Sequence, residues 1–174
     1  MKRGLVAELC KRMAKEWNDR NLVCDFPPPG ELLYAITMVE SDGDPWAIRF
    51  EPFYSYLTNR EGLPLKATDS ISDTERNQQK TSWGLMQVMG AVARERGFTG
   101  PYLSALCDPM TGLNYGAAQL ALLLWREKGN ELDAIAAYNA GGVRREKSGE
   151  YVNQGYVDKV LKHLGRDGSD GTTN

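Results

Sequence analysis

The spacing of apolar residues predicts α-helices over most of this 174-residue chain. The first predicted helix carries four large apolar residues at four-residue intervals, with basic residues opposite, which is typical of an amphipathic helix packed on a core. These four are Leu5, Leu9, Met13 and Trp17. The segment 108–128 is apolar on nearly every side and is expected to be the central core helix. The predicted helices cover residues 5–17, 30–40, 91–96, 108–128, 130–140 and 156–164.

One carboxylate interrupts this apolar pattern at the end of the second helix. Leu33 and Ile36 precede Glu40 by seven and four residues, so the three side chains share one helical face. Removal from water disfavours an ionised carboxylate, which makes Glu40 a candidate general acid. The turn-forming stretch 41–45 places Glu40 beside a loop, where its carboxyl group could be partly shielded from water and still accessible to a substrate. The alternative is a surface glutamate at a frayed helix end.

Two amides also occupy positions where apolar residues are expected. Gln87 stands among apolar neighbours just before the helix 91–96, and a polar amide in that setting needs hydrogen-bond partners. Asn139 follows Leu132 and Ile135 on one predicted stripe of the helix 130–140. Both are therefore candidate site residues, with a packing role as the alternative.

Residues 46–83 follow no helical period and are interpreted as an insert or lid. Its aromatic residues at positions 50, 53, 54 and 56 could belong to the core, the commoner use, or could line a cleft. The polar segment 67–80 is expected to be an exposed loop, and any β-strand should be short and lie within 46–83. The tail 165–174 has the composition of a disordered segment.

Composition favours one ordinary globular domain, expected over residues 1–164 with a scaffold helix in 1–20. The formal net charge is −2 and the basic residues are scattered, so a nucleic-acid or anionic-membrane partner is not expected. The charged residues near the start interrupt any apolar run, so a signal peptide or a stable membrane anchor is not expected there. We therefore expect a protein made in the cytoplasm, and separately we expect it to be a monomer.

The three cysteines, Cys10, Cys24 and Cys107, have no metal-ligand spacing and are expected to be reduced thiols. His163 is the only histidine. A nucleophilic pair of Cys107 with His163 is conceivable, but a core thiol and a surface histidine are the favoured interpretation.

Four separated motifs between residues 30 and 164 resemble the soluble lytic transglycosylase family of peptidoglycan-cleaving enzymes, which is related to goose-type lysozyme. They are Glu40-Ser41 with Pro45 and Ala47, Gly84-Leu85-Met86-Gln87, Ala137-Tyr138-Asn139-Ala140-Gly141, and Gly155-Tyr156-Val157 with Val160. Gly43 and Gly90 depart from the family pattern. The resemblance implies a mostly α, α+β lysozyme-like domain with a long insert after the catalytic helix and at most a small β element.

The same resemblance implies a function and site residues. Glu40 would cleave the bond between N-acetylmuramic acid and N-acetylglucosamine with 1,6-anhydro ring formation, without metal or cofactor. In this resemblance Gln87 and Asn139 would bind N-acetyl groups of the substrate. Met86 and Tyr138 would form walls of the saccharide pocket. Tyr156 would hold Glu40 in position, and Ser41 would belong to the substrate-binding residues beside it. The partner is the peptidoglycan glycan strand.

The insert resembles that of phage-encoded relatives through Arg49-Phe50-Glu51-Pro52, which suggests a phage endolysin acting on the periplasmic wall after membrane permeabilisation. One alternative is a hydrolytic muramidase with a second carboxylate in the insert. The candidates for that carboxylate are Glu51, Asp69, Asp73 and Glu75. Another alternative is a non-catalytic wall-binding or structural helical domain.

Overall fold

Seven α-helices form half of the described part of the chain in the computed structural model, which covers residues 1–19, 25–59 and 61–166. A 3-10 helix, Leu103–Cys107, precedes α5. The α-helices are α1 Arg3–Asp19, α2 Gly30–Ser41, α3 Asp73–Gln79, α4 Gly90–Glu95, α5 Pro109–Arg126, α6 Glu131–Ala140 and α7 Gln154–His163. The strands are β1 Ile48–Phe50, β2 Thr81–Trp83 and β3 Val88–Met89. The predicted mostly helical domain with a small β element is confirmed.

Helix α2 lies in the middle of the packing, against α1 on one side and against α5 and α7 elsewhere. Half of its residues are buried because neighbours cover it on several sides. Helix α5 buries Leu113, Leu120 and Leu124 as predicted, but Trp125 near its end is 58% exposed. Asp108 caps its start by accepting from the amide of Thr111. These helices form the frame on which the site is built.

The buried face of α1 differs from the predicted one. Val6, Cys10 and Met13 are buried, whereas Leu5 is 48% exposed. Four-residue steps drift around a helix with 3.6 residues per turn, so a straight contact stripe alternates steps of four and three. Of the predicted stripe, Met13 is buried and Leu9 and Trp17 pack against the core, so the prediction was wrong only for Leu5.

The three strands form one antiparallel sheet in the order β1-β2-β3, with Ile48 opposite Trp83 and Trp83 opposite Val88. Two of them lie within the predicted range, but β3 lies outside 46–83 and corrects that boundary. The turn 84–87 that joins β2 to β3 contains Gly84 at φ +68° and Gln87 at φ +46°. A side chain at Gly84 would meet the carbonyl of Leu106, so this turn packs tightly on the 3-10 helix.

The segment 67–80 is not simply an exposed loop, because it contains α3, capped by the hydroxyl of Ser72. Glu75 is buried and forms a bidentate ion pair with the buried Arg94 of α4, with two N–O distances of 2.8 Å. Gln79 is also buried and bonds both the amide and the carbonyl of Thr58 at 2.8 Å. The insert is therefore fastened to α4 by a buried polar network.

The two glycines that depart from the family pattern are both enclosed. A Cβ on Gly90 would come within 2.2 Å of the carbonyl oxygen of Gln78, and one on Gly43 within 3.1 Å of Val6. Gly43 also adopts φ +77° in the turn that ends α2. Gly90 thus allows the end of α3 to approach the start of α4 closely.

Cys10 and Cys107 are buried free thiols, and His163 lies on the surface at the end of α7, as expected. Cys24 and most of the predicted tail, residues 167–174, lie outside the described residues. Within the described ranges, no helix combines the length and apolar character needed to cross a bilayer.

Candidate active site

Glu40 lies in the last turn of α2, one residue before the helix ends. Asp42 follows in the left-handed conformation, and its amide bonds the carbonyl of Met38 to close the helix. The side chain of Glu40 is half-buried above Leu33 and Ile36, which are fully buried. The chain therefore places the carboxylate between the apolar core and an open cleft.

The hydroxyl of Tyr156, from α7, donates a hydrogen bond of 2.7 Å to Oε1 of Glu40. Burial raises the pKa of Glu40, while the bond from Tyr156 and the positive charge of Arg49 lower it without cancelling the increase. Burial and the charge of Glu40 raise the pKa of Tyr156 well above its usual range, so this phenol remains a donor. The two side chains, 116 positions apart, meet because α7 packs on α2.

Tyr138 lies beside this pair and spans two of the motifs. Its hydroxyl donates to the carbonyl of Met86 at 2.9 Å, and burial followed by the charge of Glu40 raises its pKa. This bond ties the end of α6 to the turn 84–87. The phenol ring lines the cleft.

Asn139 is not on a buried stripe, which corrects the prediction for α6. It is exposed and lines the cleft, and Leu132 on the same stripe is 42% exposed. Four consecutive small or apolar residues, 134–137, are buried instead, because α5 and α7 both pack on this short helix. The Oδ1 atom of Asn139 accepts from Asn153 at 3.0 Å, which orients its amide.

Gln87 and Ser41 hold the turn 84–87 against the end of α2. The Nε2 group of Gln87 donates to the carbonyls of Ala47 and Gly84, at 2.8 and 3.0 Å. The hydroxyl of Ser41 donates to the carbonyl of Leu85 at 2.7 Å. Gln87 lines the cleft, and its side-chain amide is fixed by these two hydrogen bonds. Ser41 instead bonds a backbone carbonyl and so links the end of α2 to the turn 84–87.

Met86 does not wall the cleft. It is fully buried, and its side chain packs against Gly116 of α5, where a Cβ would meet its sulfur at 2.3 Å. The left-handed φ of Gln87 turns that neighbour outwards while Met86 points into the core. What Met86 contributes to the site is its carbonyl, the acceptor for Tyr138.

The cleft that contains Glu40 has a volume of about 730 Å³. Its walls come from the end of α2, the insert, the sheet, α4, α5 and the end of α6. Predicted residues that line it are Glu40, Gln87, Tyr138 and Asn139, joined by Glu51 and Tyr54 from the insert. Tyr156 contacts the cleft through Glu40.

The aromatic residues of the insert are not core residues. Phe50 is 52% exposed and Phe53 is 96% exposed, which contradicts the favoured core interpretation. Tyr54 and Tyr56 line the cleft, with ring centroids 5.9 Å apart in an edge-to-face arrangement. Two of the four aromatic residues therefore face the same space as Glu40.

Only one of the four acidic candidates in the insert lines the cleft. Glu51 does so and accepts a hydrogen bond from Arg49. Asp69 and Glu75 border a separate cavity, and Asp73 is exposed at the start of α3. Sequence reasoning missed a further cleft carboxylate, Glu95.

Three arginines that the sequence analysis did not single out also line the cleft, namely Arg49, Arg96 and Arg126. The spacing of Gln119 and Arg126, seven residues on α5, could have placed these two side chains on one face. Among the described residues, no three His, Cys, Asp or Glu side chains cluster closely enough to hold a metal ion.

In a comparison with known families, the chain matches the Transglycosylase SLT domain over residues 26–159. This range is well over half of the chain and contains each of the motif residues described above, apart from Val160. No curated protein matches the chain.

Proposed function

The chain belongs to the Transglycosylase SLT domain family, whose members are lytic transglycosylases acting on peptidoglycan, and we propose that it cleaves the β-1,4 bond between N-acetylmuramic acid and N-acetylglucosamine with formation of a 1,6-anhydro ring. The observation that supports this most directly is the half-buried carboxyl of Glu40, held by Tyr156 at 2.7 Å on the wall of the cleft.

In the first step Glu40 is the general acid. Burial raises its pKa and favours the protonated form that an acid needs before reaction. Because Tyr156 donates to Oε1, the acidic proton belongs on Oε2. That proton passes to the glycosidic oxygen as the bond from the muramic acid C1 breaks, leaving an oxocarbenium-like centre and an ionised Glu40.

In the second step the same carboxylate is the base. It takes the proton from the 6-hydroxyl of the muramic acid, whose oxygen bonds C1 and closes the anhydro ring. The substrate's own acetamido group stabilises the intermediate centre. Glu40 ends the cycle protonated, so one carboxyl group suffices and neither water nor a second carboxylate is consumed.

The remaining site residues position the sugars. Gln87 and Asn139 have amides fixed by neighbouring groups, which suits recognition of N-acetyl groups. Tyr138 forms part of the saccharide wall and Tyr156 orients Glu40. Ser41 and the carbonyl of Met86 are assigned to holding the turn 84–87 in place rather than to contact with substrate.

Hydrolysis is the second candidate, because Glu51 and Glu95 share the cleft with Glu40 and a carboxylate there could activate a water. Mass spectrometry of digested peptidoglycan separates the two reactions. We expect products that end in anhydro-muramic acid. Products with reducing ends would assign the enzyme to the hydrolases instead.

Glu40→Gln tests the acid itself, since it removes the proton donor and keeps the shape. We expect its rate of product release to fall by about 10²–10⁴-fold, the usual contribution of a positioned general acid. Glu8→Gln, at an exposed position of α1, is the matched control and should keep the parent rate. A Glu40→Gln protein that clears a peptidoglycan suspension at the parent rate would show that Glu40 is not the acid.

We further propose a role in lysis of a host cell wall, as in phage endolysins. The support for this role is the sequence Arg49-Phe50-Glu51-Pro52, which resembles the insert of phage-encoded relatives. Expression in the cytoplasm should leave cells intact until a separate pore-forming protein opens the membrane. Rapid lysis by the chain alone would contradict this route to the wall.

A further inference from the structure

The charged residues that line the cleft are mostly matched, with one exception besides Glu40. Arg49 donates to Glu51, and Arg96 donates to Glu95 at 3.2 Å. Arg126 lines the same cavity, and within the described part of the chain its guanidinium makes no ion pair or hydrogen bond. The cleft wall formed by α4 and α5 therefore carries an unmatched positive charge.

Arg96 is held against α5, the helix that carries Arg126 near its end. Its Nε donates to the side-chain oxygen of Gln119 at 2.9 Å, and Gln119 precedes Arg126 by two helical turns on the same face. Burial lowers the pKa of Arg96, the charge of Glu95 opposes that effect, and the charge of Arg126 lowers it further. A guanidinium directly after α4 and another at the end of α5 therefore line one cavity.

The position of Arg126 at the end of α5 accounts for one of these charges, because a cation there suits the helix macrodipole. Arg96 caps the end of α4 in the same way, so the macrodipoles account for where both charges lie, but not for the hydrogen bond that turns Arg96 from its own helix onto Gln119 of α5. Within the described residues, Nη1 of Arg96 donates to no acceptor, so both arginines present free donors to the cleft. The planar N–H donors of a guanidinium match the geometry of a carboxylate.

We propose that Arg126 and Arg96 form a subsite for a carboxylate carried by the muramic acid side of the glycan strand. This inference rests on the proposed function, because it takes peptidoglycan as the substrate. The sugar rings and N-acetyl groups of the strand are neutral, and its carboxylates belong to the lactyl ether of a peptide-free muramic acid or to the attached stem peptide. Either source supplies the same group.

The experiment measures binding rather than cleavage, using the Glu40→Gln protein so that the ligand survives. Three soluble glycan fragments are titrated by calorimetry: one with stem peptides, one with those peptides amidated at their carboxyls, and one peptide-free with lactyl carboxylates. We expect one carboxylate-bearing fragment to bind about fivefold more tightly than the amidated one, as for a solvent-accessible charge pair. Added salt should reduce that preference.

Arg126→Gln in the same protein should abolish the preference, and Arg12→Gln, on the exposed face of α1, should preserve it. A preference for the stem-peptide fragment identifies the peptide as the source, and one for the peptide-free fragment identifies the lactyl group. Equal binding of all three fragments, or a preference that survives Arg126→Gln, would overturn the subsite. Failure of the proposed function would appear separately, as absence of anhydro products from the unmodified enzyme.

Discussion

Tyr156→Phe isolates one hydrogen bond at the heart of the site. The substitution keeps the ring and removes only the oxygen that donates to Glu40 at 2.7 Å. A hydrogen bond to a charged group contributes about 1.5 kcal/mol, and it favours the ionised carboxylate over the acid. Because that bond lowers the pKa of Glu40, its loss should raise the pKa of Glu40.

Two kinetic consequences follow together. The carboxylate develops in the transition state as the proton leaves, so loss of its partner should lower kcat by up to about tenfold. The alkaline limb of kcat/KM, which reports the pKa of the free enzyme's acid, should move to higher pH. A purely structural role for Tyr156 would lower the rate without moving that limb.

The assay is the initial rate of anhydro-product release across the pH range in which the protein is folded, with Tyr102→Phe as control. Tyr102 is 63% exposed and lies outside the cleft, so its variant should match the parent profile. An unchanged or acid-shifted alkaline limb in Tyr156→Phe would refute the argument that this phenol stabilises ionised Glu40.

Two further predictions concern stability. Burial raises the pKa of Glu40 in the folded protein above its value in the unfolded chain. As pH rises, the unfolded chain therefore releases this proton first, and the folded state loses stability across the pH interval between the two pKa values. Glu40→Gln should therefore unfold at higher urea concentration than the parent at neutral pH, with the difference vanishing at pH values below the unfolded pKa. Arg94→Met should lower the free energy of unfolding by about 3–5 kcal/mol because it removes the cationic partner of the buried Glu75 carboxylate, and a double Glu75→Met/Arg94→Met variant should recover most of that loss. Urea titration with circular dichroism measures both, and a double variant no more stable than Arg94→Met would contradict the ion-pair argument.

Local periodicity was enough to predict the long helices, because their burial follows from apolar residues on faces that the sequence displays. The same reasoning placed Glu40 correctly above Leu33 and Ile36. It failed for α3, where the buried positions are Glu75 and Gln79, four residues apart. A helix whose buried side is polar gives no apolar period, although Ser72 supplied an N-cap signal.

The sequence also did not indicate which of the two side chains, Met86 or Gln87, enters the cleft. The two residues are adjacent in one motif, and which of them enters the cleft depends on the left-handed backbone at Gln87. Nothing in the residue types indicates that a glutamine adopts this conformation, which is uncommon outside glycine. Likewise, Leu132 and Asn139 lie at helical spacing, but the amount of α6 that is covered depends on where α5 and α7 pack.

The buried network of the insert connects these failures to function. Arg94 precedes Glu95 and Arg96, so the ion pair with Glu75 fixes the helix that presents both cleft charges. Arg94 also donates to the carbonyls of Phe98 and Gly100, at 2.7 Å each, which fixes the chain on the far side of α4. An apolar replacement could restore stability without restoring these four directed bonds. The polar residues of α3 gave no apolar period, and the same residues hold α4 and so set the orientation of the charged cleft wall. The insert is therefore a structural part of the site.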